Sequence, residues 1–289
     1  MSAEARRGPG PDGLLLIDKP SGITSHDAVA AVRRALSTRK VGHAGTLDPM
    51  ATGLLVIGVG RATRLLRFLG DLPKVYEGTL RLGTETTTLD ADGAVTRQAP
   101  VDVADDAIAA AMAAKLGASA QRPPAFSAVK VGGRKLYEAA RKGEVLEAPA
   151  RIVRVDRFEL TGRDGADVRF AATVSGGTYV RVLAADVGTA LGCGAHLTAL
   201  RRTAIGPFAV DAATTPAEPG DPLPLERAVA HLPRFDLEHE EAIAASHGRI
   251  LAPAALEGPY GVYDPEGRLI GVYRDEGGKA RPLVILSPR

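Results

Sequence analysis

Apolar side chains occur in short runs throughout this chain, and glycine or proline interrupts them at close intervals. The longest runs, residues 14–17 and 53–60, are far shorter than the roughly 20 apolar residues that a helix needs to cross a bilayer. Short runs between turn residues are typical of buried strands and of helices packed on a sheet. The pattern therefore predicts a soluble protein with a mixed α/β core, and it excludes collagen, coiled coils and wholesale disorder.

Helix and strand signals follow one another along most of the chain. Thr24 stands three residues before Asp27 in a capping-box arrangement, and Val29, Val32 and Leu36 follow at helical spacing, which predicts a helix starting at Thr24. The remaining patterns predict strands at 13–18, 54–59, 75–82, 152–160 and 168–174, helices at 61–69, 103–116 and 180–191, and a hairpin of 260–263 with 269–273.

Breaks in composition suggest the domain organisation. Residues 1–12 are polar and rich in glycine and proline, which predicts a flexible tail. Residues 121–150 are basic with little apolar periodicity, which predicts an exposed insertion with one short helix. A proline-rich connection at 216–224 leads to a small β-rich unit, residues 237–289, which we expect to depend on the main domain, 13–236, for its stability.

Charge is unevenly distributed, although the formal net charge is only +2. Residues 1–70 carry 10 Lys and Arg against 5 Asp and Glu, residues 121–163 carry the same numbers, and residues 203–289 carry 8 against 13. Two basic stretches could form one face that attracts phosphates, because such a footprint depends on local clustering. Dispersed, solvated surface charge is the alternative.

Cofactor and metal signals are weak. The one cysteine, Cys193, cannot form an internal disulfide, and no Cys and His residues have zinc spacing, so no structural metal is expected and a reducing cytoplasm fits. Residues 58–63 superficially resemble a dinucleotide loop, but Thr63 replaces the third glycine. Cys193 has no evident base beside it in the sequence and is expected to be a small buried residue.

The most informative segment is the glycine-rich loop that precedes the strand at 54–59. It contains His43 and the dipeptide Asp48-Pro49. Taken alone, Asp before Pro is a common turn initiator, so Asp48 is either a turn residue or a catalytic carboxylate. His43 is equally open, as a surface histidine, a base, or a ring that stacks on a nucleobase.

Several separated motifs resemble the TruB family of bacterial tRNA pseudouridine synthases, which make pseudouridine 55 in the T loop. They cover about residues 13–210 in the family's order, and they are 17–27 (IDKPSGITSHD), the loop 42–53, 76–83 with 88–90, 123–130, and 177–181 through 200–202. The resemblance implies an α+β pseudouridine synthase fold. In that fold helices and the basic insertion flank a mixed central β-sheet, followed by a small PUA-like domain at 237–289.

The resemblance also implies the reaction, in which uracil is cut from C1′ of its ribose and rejoined through C5, with no metal or cofactor. Asp48 matches the family's essential aspartate. Tyr76 matches a tyrosine that stacks on the target uracil, and Arg181 matches an arginine that pairs with the aspartate and keeps it ionised. Without the resemblance, Tyr76 would be an ordinary strand aromatic and Arg181 a member of a surface ion pair.

Five further residues are implied as substrate-binding. Tyr179 and Leu200 correspond to pocket residues that hold the base, although both are also typical core residues. His43 would fill the space that the extruded uridine leaves, and Lys19 and Lys130 would hold phosphates.

The implied partner is the T-arm of tRNA, bound by a cytoplasmic monomer that needs no membrane and no protein partner. Two alternatives remain open. One is an RNA-binding or tRNA-folding protein without catalysis, and the other is the related guide-dependent pseudouridine synthase, which relies on accessory proteins.

Overall fold

The computed structural model describes residues 11–144 and 146–286, which form a chain rich in β-strands. No helix in this part of the chain is long and apolar enough to span a membrane. The strands are β1 (Gly13–Lys19), β2 (Val41–Ala44), β3 (Thr52–Val59), β4 (Lys74–Leu82), β5 (Thr84–Thr86), β6 (Val95–Gln98), β7 (Gly117–Gln121), β8 (Lys130–Val131), β9 (Arg134–Lys135), β10 (Arg151–Asp164), β11 (Asp167–Val174), β12 (Ala195–Ile205), β13 (Phe208–Ala209), β14 (Arg234–Asp236), β15 (Pro259–Tyr263), β16 (Leu269–Glu276) and β17 (Lys279–Ile285). The α-helices are α1 (Ser25–Ala35), α2 (Asp105–Ala113), α3 (Leu136–Ala140), α4 (Val180–Ala190) and α5 (His239–Ser246).

A nine-stranded sheet forms the centre of the main domain. Its strands lie in the order β1, β3, β12, β4, β11, β10, β7, with β2 beside β3 and β13 beside β12. The pair β3 and β12 runs parallel, and the other neighbouring pairs run antiparallel. This architecture confirms the expected α+β fold with a mixed central sheet.

The first strand and helix form as their sequence signals predict. In β1, Leu15 and Ile17 face α1, while Leu14 lies in a second cluster on the other face, so the strand is apolar on both sides. Thr24 caps α1: its hydroxyl accepts from Asp27 N at 3.1 Å, and the Asp27 carboxylate accepts from Thr24 N at 2.9 Å. These reciprocal bonds satisfy backbone donors that a helix start otherwise leaves free.

The segment predicted as a helix at 61–69 is instead two 3-10 turns, Gly60–Arg64 and Leu66–Leu69. Leu65 N donates to Ala62 O, and Phe68 N donates to Leu65 O, so the bonds span three residues rather than four. Ala62, Leu65 and Leu69 are nevertheless all buried, so the apolar spacing indicated burial correctly but not the helix type.

The sequence patterns do not predict two strands that lie near the loop that carries Asp48. Residues 41–44, expected to belong to the loop, form β2 and pair with β3. Strand β12 lies in the middle of the sheet, yet its sequence AHLTALRRTAI lacks regular alternation. Its pairing with β4 shifts register twice, between 197 and 199 and between 202 and 204, and each irregularity moves later side chains to the opposite face.

The basic insertion contains the short helix that was expected, α3, preceded by the hairpin β8–β9. Residue 145 within it lies outside the described residues, as do residues 1–10 of the predicted tail. The tail prediction fails at its last residue, because the carboxylate of Asp12 accepts from Arg61 N at 2.7 Å.

The C-terminal strands β14–β17 form a separate four-stranded sheet. One side packs with α5 in a cluster that includes Tyr260 and Tyr273. The other side contributes Val272 and Val284 to a cluster shared with Leu14 and Leu54 of the main sheet. The C-terminal unit thus shares part of its apolar core with the main domain, and its dependence on that domain for stability stays a prediction.

Candidate active site

A loop between β2 and β3, residues 45–51, carries Asp48. The first residue of α1 holds this loop in place, because Leu47 N donates to Ser25 Oγ at 2.9 Å and the same hydroxyl donates to Leu47 O at 3.1 Å. Asp48 O accepts from Ala51 N at 3.1 Å, which closes a turn. Asp48 is therefore in a turn, as its sequence context predicts, and that turn is fixed against a helix.

Lys19 also holds the loop, which contradicts the phosphate contact expected for it. Its ammonium donates to the carbonyls of Pro20 and Ile23 at 2.8 Å and of Pro49 at 3.3 Å. The side chain is fully buried, and these acceptors match the three protons of the ammonium, so nothing remains for a phosphate. Burial lowers the pKa of Lys19, and the nearby Asp48 carboxylate partly offsets this.

Arg181 lies in the first turn of α4 and pairs with Asp48. Its Nε lies 2.9 Å from Asp48 Oδ2, and its Nη2 donates to Asp48 Oδ1 at 3.2 Å. The same guanidinium donates to Thr88 O at 2.7 Å and to Phe126 O at 3.1 Å. Only 4% of the Arg181 side chain is exposed, so the guanidinium is a rigid element that orients the carboxylate.

A second carboxylate, Asp90, lies on the other side of Arg181. Asp90 Oδ2 is 3.3 Å from Arg181 Nη1, and its Oδ1 accepts from the Thr88 hydroxyl at 2.5 Å and from Asp92 N at 3.2 Å. Asp90 is buried. The sequence indicates no role for Asp90, although it lies in the matched motif 88–90, because its proximity to Arg181 arises only in the fold.

Opposing effects set the protonation of Asp48. Burial is the largest and raises the pKa of its carboxyl, the Arg181 charge lowers it, and Asp90 raises it again, so that the pKa lies above its usual value. Arg181 thus favours the ionised form, as expected, but the net direction is opposite because desolvation outweighs the ion pair.

Asp48 lines a cavity of about 240 Å³ that four of the other predicted residues share. Tyr76 of β4, Tyr179 just before α4, and Leu200 of β12 all line it together with Asp48 and Arg181. Tyr76 and Leu200 are largely buried, at 6% and 8% exposure. The fold therefore brings five of the predicted residues to one pocket.

Tyr179 is held from two sides. Its backbone N donates to Gln121 Oε1 at 2.8 Å, and Gln121 Nε2 donates to Tyr179 O at 3.2 Å. The guanidinium of Arg151 lies over the Tyr179 ring, 4.8 Å from its centroid, and also lines the cavity. Such a cation–π contact restrains the ring at the pocket wall.

Arg202 is a further cavity residue, quoted in the motif 200–202 without a role. Its side chain is fully buried, and it donates to Leu54 O at 2.8 Å, to Gly45 O at 3.1 Å and to the Tyr76 hydroxyl at 3.4 Å. Gly53 permits the close approach of the Arg202 backbone, because its φ is +98° and a Cβ there would lie 2.3 Å from Arg202 O. Arg202 thus bridges two parts of the site: the loop that contains Asp48, through Gly45, and strand β4, through Tyr76.

Lys74 is another buried cation at this cavity. Its ammonium donates to Gly70 O at 2.5 Å and to Leu72 O at 2.7 Å. Burial, reinforced by the Arg202 charge and opposed by Asp71, lowers the pKa of Lys74 to about 8.

Like Lys19, the remaining two predicted residues do not line the cavity. His43 lies on β2 with its ring half-buried, edge-on to His26 at a centroid distance of 5.6 Å. Burial, His26 and Arg202 all lower the pKa of His43, which favours its neutral ring. Lys130 is exposed on the hairpin of the insertion, where it remains available to a phosphate.

The arrangement combines a fixed carboxylate, an aromatic ring with a hydroxyl, and several buried cations. A carboxylate held at a pocket wall can act as a nucleophile or as a base, and an aromatic face can stack on a planar ligand. The cations favour a ligand that carries negative charge. Among the described residues, no cluster of His, Cys, Asp and Glu side chains has the grouping that a metal ion would need.

Three family models match most of the chain. Residues 33–180 match the TruB family pseudouridylate synthase N-terminal domain, and residues 181–218 match a tRNA pseudouridylate synthase B C-terminal domain. Residues 232–287 match the tRNA pseudouridine synthase II C-terminal domain.

Curated relatives and solved structures agree with these matches. A tRNA pseudouridine synthase B from Thermobifida fusca (strain YX) is 47% identical, covering 96% of this chain and 99% of the relative, and one from Mycobacterium tuberculosis (strain CDC 1551 / Oshkosh) is 46% identical, covering 96% of each. A crystal structure of a Cbf5-Nop10-Gar1 complex matches with TM-score 0.73 and 27% identity, over 96% of this chain and 85% of that one. An H/ACA RNP bound to a substrate RNA containing 2′-deoxyuridine matches with TM-score 0.71 and 26% identity, over 96% and 86%.

Proposed function

Because this chain belongs to the TruB family of pseudouridylate synthases, we propose that it isomerises uridine 55 to pseudouridine in the T loop of tRNA. The chain is an isomerase that acts on tRNA. The uracil leaves C1′ of its ribose, turns within the enzyme, and rejoins through C5. Atoms are conserved and nothing is oxidised, so the pocket must retain the free base and keep water from the reacting carbon.

The observation that carries this proposal is the pairing of Asp48 with Arg181 at the wall of a pocket. We assign the central step to Asp48, either as a nucleophile toward the nucleoside or as the base that removes the C2′ proton in a glycal-type route. Both routes need an ionised carboxylate in a fixed orientation, and the two contacts from Arg181 support this.

The aromatic and apolar walls suit the uracil. Tyr76 offers a ring for stacking and a hydroxyl for proton transfer, and Tyr179 and Leu200 close the pocket around the base. These residues would keep the detached uracil close to C1′ while it turns.

Reaching a nucleotide inside a folded loop requires its extrusion. We assign His43 to the space that the uridine leaves, since its neutral ring can stack between bases. Lys130 and the other exposed basic residues of the insertion would contact phosphates, so affinity should fall with added salt. We infer a cytoplasmic monomer that acts on the T-arm without a protein partner.

Incubation of the purified protein with an unmodified tRNA transcript, without cofactor, tests the proposal. Position-resolved detection of pseudouridine should find it at position 55. The Asp48→Asn variant should lose several orders of magnitude in rate while binding the transcript as the wild type does. Asp186→Asn is the matched control, because Asp186 lies half-exposed on α4 in an ion pair with Lys115, and this variant should retain full activity.

The same experiment separates the alternatives. The solved structures similar to this chain include an H/ACA RNP and a Cbf5-Nop10-Gar1 complex, so activity on the bare transcript would support the stand-alone enzyme over the guide-dependent alternative. Binding and faster refolding of tRNA without any pseudouridine would instead favour an RNA-folding protein. Undiminished activity of Asp48→Asn would remove Asp48 from its assigned role.

A further inference from the structure

Ser127 lines the Asp48 cavity, and its hydroxyl is buried without a bonding partner. Ser127 is 5% exposed and lines the cavity together with Asp48 and Tyr76. Its Oγ has no hydrogen-bond partner among the residues that the structure describes. Buried hydroxyls in native proteins are normally bonded, so an unbonded one at a ligand pocket indicates a contact that the ligand supplies.

The backbone on both sides of this hydroxyl is fixed. Phe126 O accepts from the Arg181 guanidinium at 3.1 Å, and Ser127 O accepts from Tyr137 N at 3.1 Å. The residue that orients Asp48 therefore also positions the chain beside Ser127. A group held in this way can contribute a directional bond with little loss of freedom on binding.

The hydroxyls of Ser175 and Thr178, unlike that of Ser127, have hydrogen-bond partners within the protein. Ser175 Oγ accepts from Arg154 N at 2.9 Å, and Thr178 Oγ1 donates to Ser175 O at 3.0 Å. Both lie in the turn that leads to Tyr179, and both are satisfied within the protein. Removing either hydroxyl should therefore affect the fold, whereas the Ser127 hydroxyl makes no such contribution.

We propose that the Ser127 hydroxyl donates a hydrogen bond to an oxygen of the extruded uridine, either O2 or O4 of the base or the 2′ oxygen of the ribose. Ser127 is then a substrate-contacting residue that sets the nucleoside against Asp48. This inference rests on the proposed function, since it takes uridine as the ligand. Serine suits the task because its hydroxyl rotates to meet an acceptor, and each of these oxygens accepts.

Ser127→Ala tests the proposal, with Ser175→Ala as the matched control. Ser127→Ala should lower single-turnover efficiency on the tRNA transcript by about 3- to 10-fold, the range expected for one neutral hydrogen bond. Its melting temperature should equal or exceed that of the wild type, because a buried unbonded hydroxyl is removed. Ser175→Ala should show the opposite pattern, a lower melting temperature with full efficiency per folded molecule.

Substrate analogues identify the acceptor. Binding of T-arm stem-loops is measured for Asp48→Asn with and without Ser127→Ala, using uridine, 2-thiouridine, 4-thiouridine or 2′-deoxyuridine at the target position. The affinity lost through Ser127→Ala should persist for uridine and disappear for the one analogue that lacks the acceptor.

Three results would overturn the inference. They are efficiency of Ser127→Ala within twofold of wild type, a loss that follows a lowered melting temperature, and an equal penalty for all four nucleosides. A wild-type protein that makes no pseudouridine would refute the proposed function and this inference with it. An active wild type with an unaffected Ser127→Ala would refute the inference alone.

Discussion

Replacing Arg181 by methionine removes the cation that separates two carboxylates. The guanidinium lies within 3.3 Å of both Asp48 and Asp90, and it donates to the carbonyls of Thr88 and Phe126. Removing one partner of a buried ion pair costs about 3–5 kcal/mol. Because 34% of the Asp48 side chain is exposed and can take up solvent, we expect a loss of about 3 kcal/mol in the free energy of unfolding at neutral pH.

The free energy of unfolding that Arg181→Met loses should depend on pH. The pKa of Asp48 is already raised, so the folded state holds its proton above the usual carboxyl value, and stability falls as pH rises through that pKa. Arg181 opposes this rise, and its removal raises the pKa of Asp48 further. The destabilisation of Arg181→Met should therefore shrink in acid, where the Asp48 carboxylate is protonated.

Urea unfolding at pH 5 and pH 7.5, together with the pH profile of single-turnover rates, measures both effects. The acid limb of the wild-type profile should lie above pH 3.8, and it should move upward in Arg181→Met. Arg181→Lys keeps the positive charge but lacks the planar guanidinium with its paired donors. It should therefore be more stable to urea than Arg181→Met, while its activity falls on the order of 100-fold. An unchanged urea midpoint for Arg181→Met, or an acid limb that moves downward, would refute this reasoning.

Two further predictions concern the support of the loop. Gly53→Ala should cost about 1–3 kcal/mol in unfolding free energy, because φ is +98° and a Cβ would lie 2.3 Å from Arg202 O, and a urea midpoint equal to wild type would contradict this. Arg202→Met should raise the pKa of Lys74 above about 8, because the Arg202 charge helps to lower it. Wild-type stability should then rise between pH 8 and 10.5 more steeply than that of the variant, and equal slopes in pH-dependent urea unfolding would rule out the coupling.

The buried cations explain how a short loop is held without regular secondary structure. Lys19 bonds to Pro49, and Arg202 bonds to Gly45, so each end of the loop meets a charged donor. Hydrogen bonds from charged groups are stronger than neutral ones, and they are stronger still away from water. The motif at 17–27 therefore supports the position of Asp48 through Lys19. The motif at 200–202 supports it through Arg202 and also lines the pocket.

The sequence by itself determined the local elements and the segments that carry the chemistry. The capping box at Thr24, the apolar runs of β1 and β3, and the Asp48-Pro49 turn are encoded by neighbouring residues, so periodicity and turn chemistry suffice to predict them. The resemblance of separated motifs to the TruB family points to Asp48, Tyr76 and Arg181 without revealing which side chains meet.

Only the tertiary structure decided which side chains meet and which are buried. Asp48 and Arg181 are 133 positions apart in the chain, and the contact of Arg202 with Gly45 spans 157. The Arg202 contact depends on the register of β12, whose irregularities decide which face each of its side chains occupies. Burial made Lys19 structural, raised the pKa of Asp48 and left the Ser127 hydroxyl unbonded at the pocket, because desolvation is a property of the packed chain.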